Sequence, residues 1–309
     1  MSAESARPRP RRRGIAIGIA VVALIVYVAV QLLYAYGNRG STVNSGDPAD
    51  PEAVIVHLNP TSVNAVTERV SMDMTVEAPQ SFHDPNDPGS VALSRGFDLL
   101  LLPVEGAQVV HFSPGDVPTI SSTVFFTEGA IETYPFDTHS MEIYALAYTT
   151  EDGVRKPLKT NVEVGANVPG WIFGGSIVYE DTGATVTDET GTRPVPTVAV
   201  TVTRSASTLV FAFLLLGLLI VMPTLVLFVA IRTYRGKRKV EATLTSWMGA
   251  MLFAVVPLRG FLPGSPPIGS WIDFLVVLWV IVGLVTGLTV YVLAWNRWGT
   301  PAARERPSP

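Results

Sequence analysis

Hydrophobic positions in this chain follow two different rules, and the switch between them divides the sequence. At residues 15–36, 209–231, 244–261 and 272–295 the apolar residues run on almost without interruption. A helix needs roughly 20 predominantly apolar residues to cross a hydrocarbon core of about 30 Å. All four runs reach that length, the third by the smallest margin. Between the first and second runs the pattern becomes alternation. Val70, Met72, Met74 and Val76 take turns with Ser71, Asp73, Thr75 and Glu77, and Met141, Ile143, Ala145 and Ala147 alternate in the same way, as do Val198, Val200 and Val202. Period two marks half-buried strands. Further strands are expected at 54–58, 97–102, 108–112, 119–126 and 172–179, with turn clusters at 83–89, 113–116 and 151–153 between them. The predicted fold is an integral membrane α + β protein: four transmembrane helices with an antiparallel β-sandwich inserted between helices 1 and 2.

The boundaries follow from these patterns. A basic tail occupies 1–13, the first transmembrane helix 14–36, a polar linker 37–52 and the sandwich 53–207. The second helix is expected at 208–231, a basic loop at 232–241 and the third helix at 242–261. An apolar outer hairpin loop at 262–270, the fourth helix at 271–296 and a tail at 297–309 complete the chain. The last strand runs into the second helix with only residues 204–208 between, a join that holds the sandwich close to the membrane.

Charge gives the arrangement a direction. Residues 37–207 carry 22 of the 26 acidic residues and 8 basic ones, a net charge of −14. Of the 22 basic residues, 13 fall in three clusters, at 7–13, 232–239 and 297–306. Basic residues flanking spans stay on the cytoplasmic side. With four crossings and a cytoplasmic N-terminus, all three clusters lie inside and the acidic sandwich lies outside. Three or five crossings break that agreement. The expected location is therefore the inner membrane, multi-pass, with both termini cytoplasmic and the β-domain periplasmic. The first run also has the basic start of a signal peptide, but its apolar stretch exceeds the usual 7–15 or so residues, and Tyr34 and Tyr36 suit an interfacial belt. It reads as an uncleaved anchor. The chain has no cysteine, which removes disulfides, thiol catalysis and cysteine-ligated metals.

Little in the chain points to catalysis. His57, His83, His111 and His139 have no metal-ligand spacing and read as turn or surface residues. The acidic turn at 84–87 lacks the distal glutamate of a calcium loop. No nucleophile elbow, phosphate loop, zinc-protease helix or dinucleotide fingerprint occurs. The expectation is a protein that is not an enzyme and takes no cofactor and no metal.

Three other features stand out. Tyr134, Pro135, Phe136 and Asp137 form a corner between two strands, with Asp137 placed to bond the local backbone and Phe136 to anchor the corner in the core or against the membrane. The tetrapeptide resembles the aromatic-Pro-Phe-Asp turn of pentameric ligand-gated ion channels, in which that loop faces the membrane helices. A channel would need the third helix to line a pore. Glu241, Thr243, Thr245 and Ser246 fit its mouth, but Met248, Leu252 and Val255 continue that face without polarity, and Trp247 is bulky for a narrow pore. Arg259 and Asp273 stand at the outer ends of the last two helices, where unpaired charge is costly. We expect them to pair and to close the hairpin that contains Pro263, Pro266, Pro267 and Trp271. Finally, Gly283 and Gly287 form a small-x3-small face, and Gly14 and Gly18 form another in the first run. Such faces let helices approach closely, within this chain or onto a partner membrane protein.

Taken together, the one-plus-three topology, the Tyr134–Asp137 corner, the Asn-Val-Pro-Gly-Trp stretch at 167–171 and the hairpin at 259–273 resemble an actinobacterial membrane-protein family of unknown function. The resemblance covers most of 15–297. Through relatives in mycobacteria it implies an accessory, non-enzymatic subunit whose partners are membrane lipids and a larger transporter, the permease subunits of an Mce-type lipid-import complex, with no nucleic acid. Such a subunit's contact surfaces are expected at the Gly283/Gly287 face and the hairpin. A channel-like assembly and a membrane-tethered sensor or enzyme are the alternatives.

Overall fold

A computed structural model describes residues 50–84, 90–151, 153–166, 168–178, 185–188, 191–194 and 197–299, together with 18, 21, 24–25, 27–32, 35 and 43–44. These residues form a two-sheet β-domain followed by three long helices. The strands in chain order are β1 (Val43–Asn44), β2 (Val54–Asn64), β3 (Arg69–Glu77), β4 (Phe97–Leu102), β5 (Val109–Phe112), β6 (Ser121–Phe126) and β7 (Glu128–Gly129). They continue as β8 (Thr138–Glu151), β9 (Val154–Pro157), β10 (Thr160–Val164), β11 (Trp171–Val178), β12 (Thr185–Asp188), β13 (Gly191–Pro194) and β14 (Thr197–Arg204).

One sheet has the order β1-β10-β2-β3-β6, and the other β11-β14-β8-β4-β5 with β7 and β9 also paired to β8. The alternation seen in the sequence is the reason they stack. Val70, Met72, Met74 and Val76 of β3 are buried, as are Met141, Ile143, Ala145 and Ala147 of β8 and Val198, Val200 and Val202 of β14. They meet in a single apolar core between the sheets. Phe97 stacks on Phe112 with ring centroids 4.8 Å apart and takes the edge of Phe82 at 5.7 Å. The expected antiparallel sandwich needs one correction: β10 pairs with β2 in parallel, Val162 beside Val56. Alternation sets which face a strand buries and is blind to the direction of its neighbour. The small β12–β13 ribbon stands outside both sheets.

Helix α1 spans Ala206–Tyr234, α2 Ala242–Gly260 and α3 Leu278–Trp298, the last preceded by a π-helical turn at Asp273–Val277. All three are long and apolar enough to cross a membrane. The described residues between 18 and 35 are helical. The rest of the 14–36 segment, including Gly14, lies outside the described residues, and with it the expected count of four spans and the insertion of the sandwich between the first two. The join at the sandwich is shorter than expected. β14 ends at Arg204 and α1 starts at Ala206, with Ser205 as the cap whose hydroxyl oxygen accepts from the Thr208 N–H at 3.3 Å.

α1 and α3 hold the helical layer together. Leu216, Leu219, Met222, Val226 and Ala230 make a buried stripe on α1, opposite Val280, Leu284, Gly287, Tyr291 and Ala294 on α3. The spacing of three and four residues is that of knobs-into-holes packing. The Gly283/Gly287 face lies in this contact. A Cβ on Gly283 would come within 2.9 Å of Pro223 Cβ, and one on Gly287 within 2.6 Å of Val226 Cγ1. The expectation that this face meets a partner subunit is therefore corrected: close approach of α1 already uses it. Gly18 has nothing within 4 Å of where its Cβ would stand.

Gly287→Leu should thus push α1 from α3, an overpacking cost of about 1–3 kcal/mol, read as a lower melting temperature of the purified protein. Gly217→Leu is the control. Nothing lies within 4 Å of the missing Cβ of Gly217, and its melting temperature should stay at the parent value.

Candidate functional site

The seam between sandwich and helices is built around Arg204. Strand pairing explains how it gets there. β14 lies between β11 and β8, with Arg204 beside Trp171 at one edge and Thr203 beside Thr138 at the other. The residue before β8 is Asp137. Two strands thus end side by side with opposite charges at their tips.

The Arg204 guanidinium donates from Nε to Asp137 Oδ1 and from Nη2 to Oδ2 at 2.9 Å, a two-pronged pair. Its Nη1 donates to the backbone carbonyl of Pro263 at 3.2 Å, which ties the hairpin between α2 and α3 to the sandwich. The rings of Tyr134 and Trp171 lie 4.6 Å from the guanidinium carbon, so the cation is held between two aromatic faces. His139 shares Asp137 Oδ2 through Nε2 at 3.1 Å. The Arg204 side chain is 2% exposed and those of Asp137 and His139 0%.

Gly264 lets the loop come this close. Its φ is +77°, and a Cβ there would lie 2.6 Å from Arg204 Nη1. On the other side the Gly170 carbonyl accepts from the Ser205 N–H at 2.9 Å and from the Thr208 hydroxyl at 3.0 Å. β11, β14, the start of α1 and the hairpin are thereby joined.

Burial raises the cost of charge on Asp137, but the hydrogen bonds from His139 and Arg204, with the arginine's charge, outweigh it and hold the carboxyl below its ordinary value. Burial pushes the Tyr134 hydroxyl the other way, to about 12, with a further upward push from Asp137 and a partial offset from Arg204.

The corner at Tyr134–Asp137 thus does more than turn the chain. Asp137 was expected to bond local backbone. It does bond its own backbone, and its principal partner is an arginine 67 residues away. Tyr134 and Asp137 face inward, whereas Phe136 is 67% exposed and its ring centroid lies 5.9 Å from that of Phe213 in α1. Pro135 follows Tyr134 through a cis peptide bond. Arg204 itself was read only as part of a linker. The cost of unpaired charge beside a span, applied above to Arg259, was the available signal.

Arg259 and Asp273 meet at the mouth of the α2–α3 hairpin. Arg259 Nε and Nη2 reach the two carboxylate oxygens at 3.0 and 2.9 Å. Nη2 also donates to the Pro267 carbonyl at 3.1 Å, and the Gly269 N–H donates to Asp273 Oδ2 at 2.8 Å. Within the loop Leu262 and Pro266 are buried, while Phe261, Trp271 and Ile268 point outward, Ile268 being 92% exposed. The 263–265 stretch lies against Arg204 at the foot of the sandwich.

The face of α2 that a pore would need is turned inward. Met248 and Val255 are buried and Leu252 packs on the same cluster. At its start, the Tyr291 hydroxyl donates to the Glu241 carbonyl at 2.6 Å and accepts from the Glu241 N–H at 2.9 Å. The histidines are scattered. His57 sits between Glu77 and Glu163, which approach opposite ring nitrogens at 3.2 and 2.8 Å, and His111 pairs with Asp98. Among the described residues no three His, Asp or Glu side chains converge as a metal site.

Two family models match the chain, and the second begins at the seam. Residues 44–187 match a domain of unknown function, DUF4436, and residues 204–298 match a second, DUF8686. No curated protein matches the chain. Arg204 is the first residue of the second match.

Removing one partner of a buried pair strands the other charge, at a cost of about 3–5 kcal/mol. Asp137→Asn should show that loss in thermal or denaturant unfolding, whereas the double change Asp137→Leu with Arg204→Met should be milder than either single change. The pH dependence has a definite sign. The folded Asp137 pKa is depressed, so its contribution is complete above the unfolded value of about 3.9 and is lost as pH falls through the folded value. The stability gap between the parent protein and Asp137→Asn should shrink as pH falls below about 4.

Proposed function

We propose that this protein is a non-enzymatic accessory subunit that scaffolds a larger inner-membrane complex, with its sandwich periplasmic and both termini in the cytoplasm. The single observation that carries the reading is the uneven burial of the helices. α1 buries eight of its residues within the chain, α2 only Met248 and Val255. Thr243, Ser246, Ala250, Phe253 and Pro257 stand on an exposed stripe of α2, which is also the least apolar of the three helices. Lipid tails give such a mixed, small-residue stripe little, whereas another helix can pack on it closely. The locked seam at Arg204 fits a scaffold, because it makes the sandwich and the helices move as one.

The partner we propose is the permease of an Mce-type lipid importer that takes up fatty acids or sterols. This follows the resemblance noted in the sequence, which within mycobacteria is to the accessory subunit called lipid uptake coordinator B. The contact between Phe136 and Phe213 supports a second reading, a channel-like assembly in which a sandwich loop presses on the membrane helices.

Purification of the tagged full-length protein from native membranes in mild detergent, followed by mass spectrometry, separates the readings. Stoichiometric transporter subunits are expected. A homo-oligomer that passes ions in planar bilayers, or a lone monomer, overturns the proposal. Ala250→Trp should reduce partner recovery about tenfold or more, equivalent to roughly 1.4 kcal/mol, and leave the melting temperature of the isolated chain unchanged.

A further inference from the structure

A cleft of about 1090 Å³ opens where the sandwich, the start of α1 and the hairpin meet. Small-molecule sites usually measure about 300–1,000 Å³, so this one has room for a ligand of lipid size. Its walls are mixed. Arg204, at the end of β14, Asn64 and Thr208 supply polar groups, and Val30 and Phe211 are among its apolar lining. Phe211 lies six residues past Ser205, about 9 Å along the helix at roughly 1.5 Å per residue. The cleft therefore runs from the foot of the sandwich into the depth occupied by acyl chains beside a membrane-crossing helix.

The polar end has unused capacity. Of the five guanidinium N–H groups of Arg204, two go to Asp137 and one to Pro263. The remaining two have no acceptor among the described residues. The side chain is almost wholly buried and lines the cleft, and Arg is the side chain best matched to phosphate oxygens.

We infer that the cleft holds one membrane phospholipid from the leaflet on the sandwich side. Its phosphate takes the two free N–H groups of Arg204, and an acyl chain lies along Phe211 and Val30. Both parts are needed: the apolar wall offers nothing to a free phosphate, and a lipid without phosphate leaves the buried N–H groups unpaired. The inference rests on the reading of α1 as a membrane span. It does not depend on the transporter, because the chain and the lipid suffice to test it.

The test uses the full-length chain in nanodiscs containing phosphatidylglycerol or, separately, diacylglycerol, each in a phosphate-free galactolipid carrier. Exchange into a delipidating detergent and native mass spectrometry follow. One phosphatidylglycerol per chain should survive the exchange, and diacylglycerol should be lost. Ser207→Trp, which fills the cleft from α1, should cut retention about tenfold or more. Val66→Trp, which fills it from the sandwich, should do the same and replaces Ser207→Trp if that variant melts early. Leu293→Trp, exposed on α3 and outside the cleft's lining, should retain lipid as the parent does. The inference fails if the parent keeps no lipid, if both filled variants keep it, or if diacylglycerol is held equally well. Binding of inorganic phosphate alone in equilibrium dialysis would also overturn it.

Discussion

A buried charge must be answered where it lies, and in this protein that requirement joins two structural classes. Arg204 ends the last strand, with only Ser205 between it and a membrane-length helix. Left alone at that depth, the guanidinium would cost more than the strand or helix contributes locally. Asp137 answers it from the start of β8, Pro263 from the α2–α3 hairpin, and Tyr134 and Trp171 from either face. Because these partners come from the sandwich and from the helical layer, satisfying one side chain fixes the relative position of both. Apolar packing alone would be less exacting, since hydrophobic contact is non-directional whereas a two-pronged carboxylate pair is not.

The second charged pair supports the first from the hairpin. Arg259–Asp273 closes the hairpin mouth and leaves Pro263 and Gly264 pointing at Arg204. The pair is also less symmetrical than its charges suggest. Arg259 serves the Pro267 carbonyl, which only a donor can do, and Asp273 accepts from the Gly269 N–H, which only an acceptor can do. Exchanging the two residues would restore the Coulombic attraction and lose both backbone contacts, so the positions are not interchangeable. The hairpin is the middle link of a chain from the helix ends, through two prolines, to the sandwich corner.

What could be read from the sequence divides along the range of each signal. The edges of β4 were legible because a short apolar run between turns is carried by residues next to one another; α1 was legible as an apolar helix, but it runs Ala206–Tyr234 where 208–231 was expected. The parallel neighbour of β2 was not, because Val162 and Val164 alternate identically whichever way the strand runs. Asp137 stood out, but local reasoning offers local partners, and its arginine comes from a strand 67 residues on. The Gly283/Gly287 face was visible as a face that admits a helix. Whether that helix belonged to the same chain depended on Pro223 and Val226, which carry no mark of it in the sequence. The Arg259–Asp273 pair was legible for a contrary reason: a short hairpin leaves two membrane-end charges few other partners.

The same logic separates the surfaces that remain free from those already used. Small residues in α3 are filled by α1, so they cannot also receive a partner. The exposed stripe of α2 is unfilled, and its hydroxyls at Thr243 and Ser246 are poor company for hydrocarbon. The seam at Arg204 is filled on the side of Asp137 and open on the side of the cleft. A rigid joint that leaves one helix face and one cleft uncovered, with no lining residue of the cleft on α2, separates two tasks. A protein partner can seat on α2 without disturbing the cleft, and a lipid can occupy the cleft without loosening the partner. The hairpin links the two directly, because it touches both Arg204 and the end of α2.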